Sequence, residues 1–126
     1  MIFGIGIDIV EIKRIKKINS LDKFAKKILS QNELTFFQNL TVSKKPYYLA
    51  KQFAAKEATA KAIGTGITKD SNFSEIEILR DKSGKPYLNP IGKLKTYIDN
   101  LGITKTHVSL SDEKEYAIAF TILEKK

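Results

Sequence analysis

Apolar and small residues alternate along the start of the chain. Isoleucines occupy the odd positions from 5 to 9 and share one side of an extended segment, whereas Gly4, Gly6 and Asp8 share the other side. The alternation predicts a buried β-strand over residues 2–10. Glycine within a strand is typical of a close approach to the backbone, so we expect open space beside Asp8.

The middle of the chain has the pattern of helices. Short basic helices are expected up to about residue 29, and a capping-box sequence beginning at Ser30 predicts a helix over residues 33–40. A longer helix is expected from about Lys44 to Ile63, with Ser43 as its N-cap and Gly64 as its C-cap.

Glu57 interrupts an apolar stripe of this long helix. It lies at helical spacing from Leu49 and Phe53, and Lys61 follows one turn later. An acid on such a stripe, like Asp8 on its strand, has to be neutralised, hydrogen-bonded or metal-bound. The reason is that a buried charge without a partner costs several kcal/mol or more.

The second half of the chain predicts strands around one helix. Strands are expected over 73–80, 107–111 and 116–123, with a turn at 82–86 and a helix over 91–101. The sequence therefore favours an α+β fold in one domain, residues 1–126, with a small antiparallel sheet packed on a long central helix.

Composition limits the kinds of site and location that the chain can have. It has 126 residues, no cysteine and one histidine, which excludes disulfides, thiolate zinc sites and multi-histidine sites within one chain. Any metal should be a hard, oxygen-liganded ion such as Mg²⁺. No apolar run approaches the roughly 20 residues that span a bilayer, and the start lacks signal-peptide features. We expect a cytoplasmic protein without a membrane partner.

The net charge of +8 is concentrated in one segment. Residues 13–27 hold seven basic side chains and one acid. This concentration indicates a polyanionic partner, which could be nucleic acid, an anionic membrane or an acidic protein. The same charges could instead form a solvated helix face that keeps the protein soluble.

Asp8, Glu57 and Lys61 are the residues with the clearest chemical potential. The two carboxylates could share one hard cation, and Lys61 could then contact a substrate phosphate. The alternative is an i,i+4 surface ion pair between Glu57 and Lys61, worth about 0.3–0.5 kcal/mol. The turn at Gly84 and Lys85 could present backbone N–H groups to a phosphate, but it is more simply a hairpin turn.

Four sequence motifs together resemble the short, bacterial-type class of 4′-phosphopantetheinyl transferases, the holo-acyl-carrier-protein synthases. They are GIGIDIVEIKRI, FAAKEATAKAIGTG, the GKP turn and HVSLSDEKEYAIAF, in this order and spacing. The resemblance implies the fold of that family. It also implies transfer of the 4′-phosphopantetheine arm of coenzyme A to a serine of apo acyl carrier protein, releasing adenosine 3′,5′-bisphosphate in fatty acid biosynthesis.

The resemblance also implies roles for individual residues. Asp8 and Glu57 correspond to the Mg²⁺ ligands, and Lys61 to the catalytic lysine that contacts the pyrophosphate. Two candidates stay open for the base that takes the serine proton, namely Glu57 and a water held by the metal. The positions that match the coenzyme A site are Gly64, Gly84, Pro86 and His107. The positions that match the carrier-protein docking surface are Arg14, Phe24 and Lys27.

Two further expectations follow from the resemblance. Compact members of the family form homotrimers with active sites between neighbouring subunits, so we expect the same assembly here. Many relatives have arginine where this chain has Gln52, an arginine associated with the 3′-phosphate of coenzyme A, and glutamine lacks its charge.

The competing function is a small basic nucleic-acid-binding module. The basic segment supports it through charge alone, because Phe24 is the only aromatic residue between Arg14 and Leu29. A surface without stacking aromatics is a poor match for single-stranded nucleic acid.

Overall fold

A computed structural model describes residues 1–64 and 72–126. The fold is α+β, as predicted. Thr65 and Gly66, the last two residues of the second motif, lie outside the described residues. The helices are α1 (Ile12–Lys16), α2 (Leu21–Ile28), α3 (Gln31–Gln38), α4 (Lys45–Ile63) and α5 (Gly92–Asn100). The strands are β1 (Ile2–Glu11), β2 (Ile76–Arg80), β3 (Pro86–Pro90), β4 (Ile103–Asp112) and β5 (Tyr116–Lys125).

The strands form two antiparallel sheets. The larger sheet has the order β1-β5-β4, and the smaller one is the β2-β3 hairpin. In the larger sheet Asp8 on β1 is opposite Ala119 on β5, which is opposite Leu110 on β4. Paired residues of neighbouring strands point to the same face, so these three face the core.

Helix α4 crosses the inner face of the larger sheet and is buried on nearly all sides. Its many alanines and the glycines of β1 let the two backbones approach closely. A Cβ atom on Gly6 would lie 1.8 Å from the carbonyl oxygen of Ala58, and one on Gly4 would lie 2.0 Å from that of Ala62. The glycines were expected to mark a close approach to the backbone, and this is confirmed, because the α4 backbone packs directly against them.

Along β1 and β5, the outer face of the larger sheet is apolar and exposed among the described residues. Ile5, Ile7 and Ile9 are 57–59% exposed, and Ile118 and Phe120 of β5 lie beside them. The prediction that β1 is a buried strand is therefore correct for its inner side only. The alternation indicated a strand correctly. It did not indicate which face is covered, because apart from Asp8 both faces of the strand consist of apolar or small residues.

The predicted helices and strands are present, but several of their bounds differ. Strand β4 begins at Ile103 rather than at 107, and β2 begins at Ile76 after a 3₁₀ turn at Phe73–Glu75. Ser30 forms the predicted capping box with Glu33, and Gly64 ends α4 in the left-handed conformation with φ +96°. Ser43 is not the N-cap of α4, because Val42–Lys44 already form a 3₁₀ turn that leads into the helix. Strand β3 follows the GKP turn and was not anticipated.

A buried ion pair joins α3, α4 and the start of β2. Glu33 and Lys56 are both 0% exposed, and the Lys56 Nζ atom donates to Glu33 Oε1 at 2.7 Å. The same ammonium donates to the carbonyl oxygens of Phe73 and Ile76 at 2.8 and 2.6 Å. Burial lowers the pKa of Lys56, and the adjacent Glu33 carboxylate opposes that shift.

The Glu33 carboxylate is fully used by the surrounding chain. Its Oε1 atom also accepts from the Ser30 backbone N–H at 2.8 Å. Its Oε2 atom accepts from the Gln52 side-chain amide and from the Ile78 N–H. Such complete satisfaction is what makes a buried charge tolerable. The start of α3, helix α4 and strand β2 are thereby all fixed to one side chain.

We expect Lys56→Met to lower the free energy of unfolding by about 3–5 kcal/mol, because it leaves the Glu33 charge buried without its cation. Urea unfolding measures this. Lys51→Met, a partly exposed position on the same helix, is the matched control and should cost far less. Combining Lys56→Met with Glu33→Gln should cost less than the sum of the single changes. Equal costs at positions 51 and 56 would contradict this account.

Candidate active site

Asp8 and Lys61 meet at the edge of the larger sheet. The Lys61 Nζ atom donates to Asp8 Oδ1 at 3.1 Å and to the backbone carbonyl of Ile7 at 2.9 Å. The Asp8 side chain is 17% exposed, whereas the Lys61 side chain is 55% exposed. The tight packing of α4 on β1 is what brings a residue late in the helix within reach of the strand.

Glu57 lies one helical turn before Lys61 and faces the same edge. Partial burial raises the pKa of Glu57, the negative charge of Asp8 raises it further, and Lys61 opposes both effects. The alternative, a Glu57–Lys61 surface pair, does not form, because the carboxylate partner of Lys61 is Asp8. Two carboxylates that repel each other beside a partly exposed ammonium form a site suited to an additional cation.

The donor set fits a hard divalent ion. Asp8 and Glu57 supply carboxylate oxygens, and an open hollow of about 340 Å³ adjoins Asp8 and Lys61. Within residues 1–64 and 72–126, no group of three or more acidic, histidine or cysteine side chains could enclose a metal. Mg²⁺ is commonly bound by one or two carboxylates and completes its shell with waters and substrate phosphates.

The residues expected to bind coenzyme A lie elsewhere in the chain. Gly64 ends α4, Gly84 lies in the β2-β3 turn, and Pro86 begins β3. His107 is exposed on β4, where its Nε2 atom is 2.6 Å from Glu124 Oε2. That hydrogen bond holds the pKa of Glu124 below its usual value.

His107 and Asp8 occupy opposite faces of the larger sheet. His107 is paired with Ile122, which is paired with Ile5 of the outer face, whereas Asp8 points toward α4. The two residues also lie on the two outer strands of the sheet, separated by β5. A single copy of the chain therefore does not bring His107 to the Asp8 site.

The GKP turn does not offer its N–H groups to a phosphate. Asp81 Oδ1 accepts from the backbone N–H groups of Ser83 and Lys85, and the Asp81 carbonyl accepts from Gly84 N–H. The Ser83 hydroxyl also donates to Asp81 Oδ1, at 2.7 Å, and this bond, followed by the Lys85 N–H bond, lowers the pKa of Asp81. The hairpin interpretation of this turn is the better one.

The expected docking residues lie on α1 and α2. Arg14 and Lys27 are exposed, and so are the other basic residues of segment 13–27. Phe24 is half-buried, because its ring packs against Phe53 of α4 with 5.7 Å between centroids. The surface is therefore basic, with its one aromatic ring turned largely inward.

Gln52 and Arg80 form a contact that the sequence did not suggest. Gln52, which stands where many relatives were expected to have arginine, is fully buried. Its Oε1 atom accepts from Arg80 Nη2 at 2.9 Å. The sequence did hold an indication that Arg80 points inward. It follows Ile76 and Ile78 at two-residue spacing, on the core-facing side of β2.

Comparison with known proteins gives consistent matches along the whole chain. Residues 4–121 match the model of the 4′-phosphopantetheinyl transferase superfamily. The holo-[acyl-carrier-protein] synthase of Blochmanniella pennsylvanica is 49% identical, over 99% of this chain and 100% of that protein.

Two solved structures show the same fold. The holo-[acyl-carrier-protein] synthase of Neisseria meningitidis has a TM-score of 0.90 and 43% identity, covering 99% of this chain and 100% of that one. The Bacillus anthracis holo-(acyl-carrier-protein) synthase in complex with CoA (3′,5′-ADP) has a TM-score of 0.85 and 42% identity, covering 100% and 99%.

Proposed function

The chain belongs to the 4′-phosphopantetheinyl transferase superfamily, and on that premise we propose that Asp8, Glu57 and Lys61 form the reaction centre of a holo-[acyl-carrier-protein] synthase. The reaction moves the 4′-phosphopantetheine arm of coenzyme A onto a serine of apo acyl carrier protein. The observation that carries the assignment is the convergence of two carboxylates and one ammonium at one open edge.

Asp8 and Glu57 are the residues that would hold Mg²⁺ in this site. Both present hard oxygen ligands. Partial burial and then the charge of Asp8 raise the pKa of Glu57, and a cation bound between the two carboxylates would offset their repulsion. When bound, the ion supplies charge neutralisation for the pyrophosphate of coenzyme A.

The remaining chemistry can be assigned to side chains of this chain. The serine oxygen forms a bond to the phosphorus that carries the pantetheine arm, and the bond from that phosphorus to the bridging oxygen breaks. The serine proton leaves to a base, for which Glu57 and a water at the metal site are the two candidates. Lys61 balances the charge that develops on the departing adenosine 3′,5′-bisphosphate.

The basic surface of α1 and α2 is proposed to dock the acidic carrier protein. Helix α1 begins directly after β1, the strand that bears Asp8, so a partner bound there lies near the reaction centre. Its charge would steer an acidic partner over long range. The inward-turned Phe24 ring leaves little for a nucleobase to stack on, which disfavours the nucleic-acid alternative.

We further propose that the outer face of the larger sheet joins copies of the chain into a homotrimer. Ile5, Ile7, Ile9 and Phe120 expose an apolar surface that a soluble protein rarely leaves uncovered. The hollow at Asp8 also includes Ile7 and Ile118 of that face. A second copy seated there would therefore border the reaction centre and could contribute the distant coenzyme A residues.

The cellular setting is proposed from the family assignment. Residues 1–126 would act as one catalytic domain in the cytoplasm, supplying holo carrier protein for fatty acid biosynthesis. Along the described part of the chain, none of the helices has the length and apolar character needed to traverse a bilayer.

We expect Asp8→Ala and Glu57→Ala each to reduce transfer by about two orders of magnitude or more, because each removes a ligand and a charge from the centre. The protein is incubated with Mg²⁺, coenzyme A and apo carrier protein, and the carrier is weighed by mass spectrometry. A gain of one phosphopantetheine arm marks the reaction.

The same two variants should fold normally and lose any rise in melting temperature that Mg²⁺ gives the unsubstituted protein. Glu113→Ala, an exposed acid between β4 and β5, is the control and should behave like the unsubstituted protein. Near-normal turnover of either variant at limiting Mg²⁺ would refute the shared site.

Arg14→Glu should raise the KM for carrier protein about tenfold or more and leave the KM for coenzyme A nearly unchanged, since it reverses a charge on the docking surface. Steady-state kinetics with each substrate measures this. Higher salt should weaken the carrier interaction. Lys95→Glu on α5 is the control, and a defect confined to coenzyme A would remove Arg14 from the docking surface.

Ile7→Asp should convert an oligomer into monomers and lower transfer, because it places a charge in the middle of the proposed interface. Sedimentation velocity measures the assembly state. Val42→Asp changes an even more exposed apolar residue away from the sheet and should leave assembly intact. A monomeric unsubstituted protein with full activity would exclude the trimer.

A further inference from the structure

His107 and Glu124 form a short hydrogen bond across two strands of the larger sheet. The His107 Nε2 atom and the Glu124 Oε2 atom are 2.6 Å apart, and the two side chains are 55% and 33% exposed. An exposed histidine is otherwise free to change rotamer. Here the ring on β4 is attached to a residue on β5, so a partner on a different strand sets its orientation. None of the roles proposed above uses Glu124.

The charge of Glu124 decides which residue of the pair is the donor. The hydrogen bond from His107 holds the pKa of Glu124 below its usual value, slight desolvation opposes this shift, and the charges of Lys105 and the N-terminal ammonium lower the pKa further. Glu124 is therefore ionised at neutral pH, and an ionised carboxylate can only accept. It follows that His107 Nε2 carries the hydrogen of this bond. Nδ1 is then the ring nitrogen that is left for a ligand.

The carboxylate stays with the imidazole although two ammonium groups are near. Lys105 is directly opposite Glu124 in the strand register, but among the described residues the ion pair that Glu124 forms within 4.0 Å is with His107. The N-terminal ammonium donates instead to the carbonyl oxygen of Lys125 at 2.9 Å. The bond is therefore a specific contact of the ring and not the default choice of an acid among cations.

The pair lies on the outer face of the larger sheet, which is proposed to receive a second copy of the chain. His107 is in one row with Ile122 and Ile5, and Glu124 is in the next row. The hollow at Asp8 is partly lined by residues of the same face. A second copy seated on this face therefore brings its own reaction centre toward these rows.

We propose that Glu124 is a positioning residue, which holds the His107 ring so that Nδ1 can contact coenzyme A bound at the reaction centre of a neighbouring copy. This inference rests on the proposed function, which supplies the ligand. Glu124 does not touch the ligand and acts only through His107. A ring that is fixed before binding loses less freedom when the contact forms, and this improves affinity. A surface pair that contributes only to stability would not change affinity.

The chain has a single histidine, so ¹⁵N NMR of the labelled full chain observes the ring nitrogens of His107 without overlap. In mildly alkaline buffer, where imidazole is ordinarily neutral, we expect hydrogen on Nε2 with little of the other tautomer. Glu124→Ala should release the ring, which appears as mixed tautomers and faster ring motion in ¹⁵N relaxation. Glu124→Gln keeps an acceptor oxygen and should keep part of the hold. Asp99→Asn, which alters the carboxylate of another exposed ion pair, is the control.

Steady-state kinetics test the consequence for the reaction. Glu124→Ala should raise the KM for coenzyme A about three- to tenfold and leave kcat and the KM for carrier protein nearly unchanged. Glu124→Gln should recover part of the loss, and Asp99→Asn should behave like the unsubstituted protein. Because Glu124 acts through His107, adding Glu124→Ala to His107→Ala should cause no further rise in that KM.

Imidazole spectra that are the same in Glu124→Ala as in the unsubstituted protein would overturn the proposal. An unchanged KM for coenzyme A in folded Glu124→Ala would also overturn it, and so would effects of the two substitutions that add in full. If Glu124→Ala fails to fold, unchanged spectra and KM in Glu124→Gln decide against it. Failure of the proposed function is seen differently, as no mass gain of the carrier with the unsubstituted protein, whatever the imidazole spectra show.

Discussion

The backbone contact between β1 and α4 is the constraint on which the candidate site depends. Gly4 and Gly6 remove the side chains that would otherwise keep the helix away, and the carbonyl oxygens of Ala58 and Ala62 occupy the vacated volume. This approach lets Lys61 reach the backbone of Ile7 and the carboxylate of Asp8. A strand and helix at ordinary spacing could not share one cation through such short side chains. The motif glycines thus act on the chemistry indirectly, by setting the distance between two elements.

A second set of polar contacts holds the opposite side of α4. The Glu33–Lys56 pair, with Gln52 and Ser30, fixes α3, α4 and the smaller sheet to one another. Ser30 also donates to Glu77 of β2, which accepts from Asn89 of β3. The helix is therefore held by close packing on one side and by a buried hydrogen-bonded network on the other. Glu57 and Lys61 project from a support with little freedom to shift.

The sequence predicted what depends on local pattern. The β1 alternation, the Ser30 capping box and the Gly64 C-cap are local features, and the structure confirms each of them. Asp8, Glu57 and Lys61 could be singled out because a charged residue on an otherwise apolar or small stripe can be recognised from the sequence alone. Their convergence in one chain could not be calculated from spacing, because it depends on the path of more than 40 residues between them.

The features that were missed depend on distant partners. Lys56 has the same local surroundings as any lysine in an alanine-rich helix, and only the fold shows that Glu33 meets it inside the core. The hydrogen bond between Arg80 and Gln52 likewise could not be predicted from either residue alone. Ser43 is not the N-cap of α4 because it already belongs to the 3₁₀ turn that leads into the helix. The exposure of Ile5, Ile7 and Ile9 was missed because an apolar alternation does not say what covers it.

That uncovered isoleucine row lies on β1, which is also an edge strand of its sheet. In the proposed assembly, each newly synthesised chain would expose this row until it associates with other copies. The edge of β1 that has no strand partner among the described residues would be exposed with it, and such edges promote aggregation. Correct association would therefore compete with aggregation, and the balance would depend on the concentration of newly synthesised chains. The expression level would therefore affect how much of this chain assembles correctly and how much aggregates.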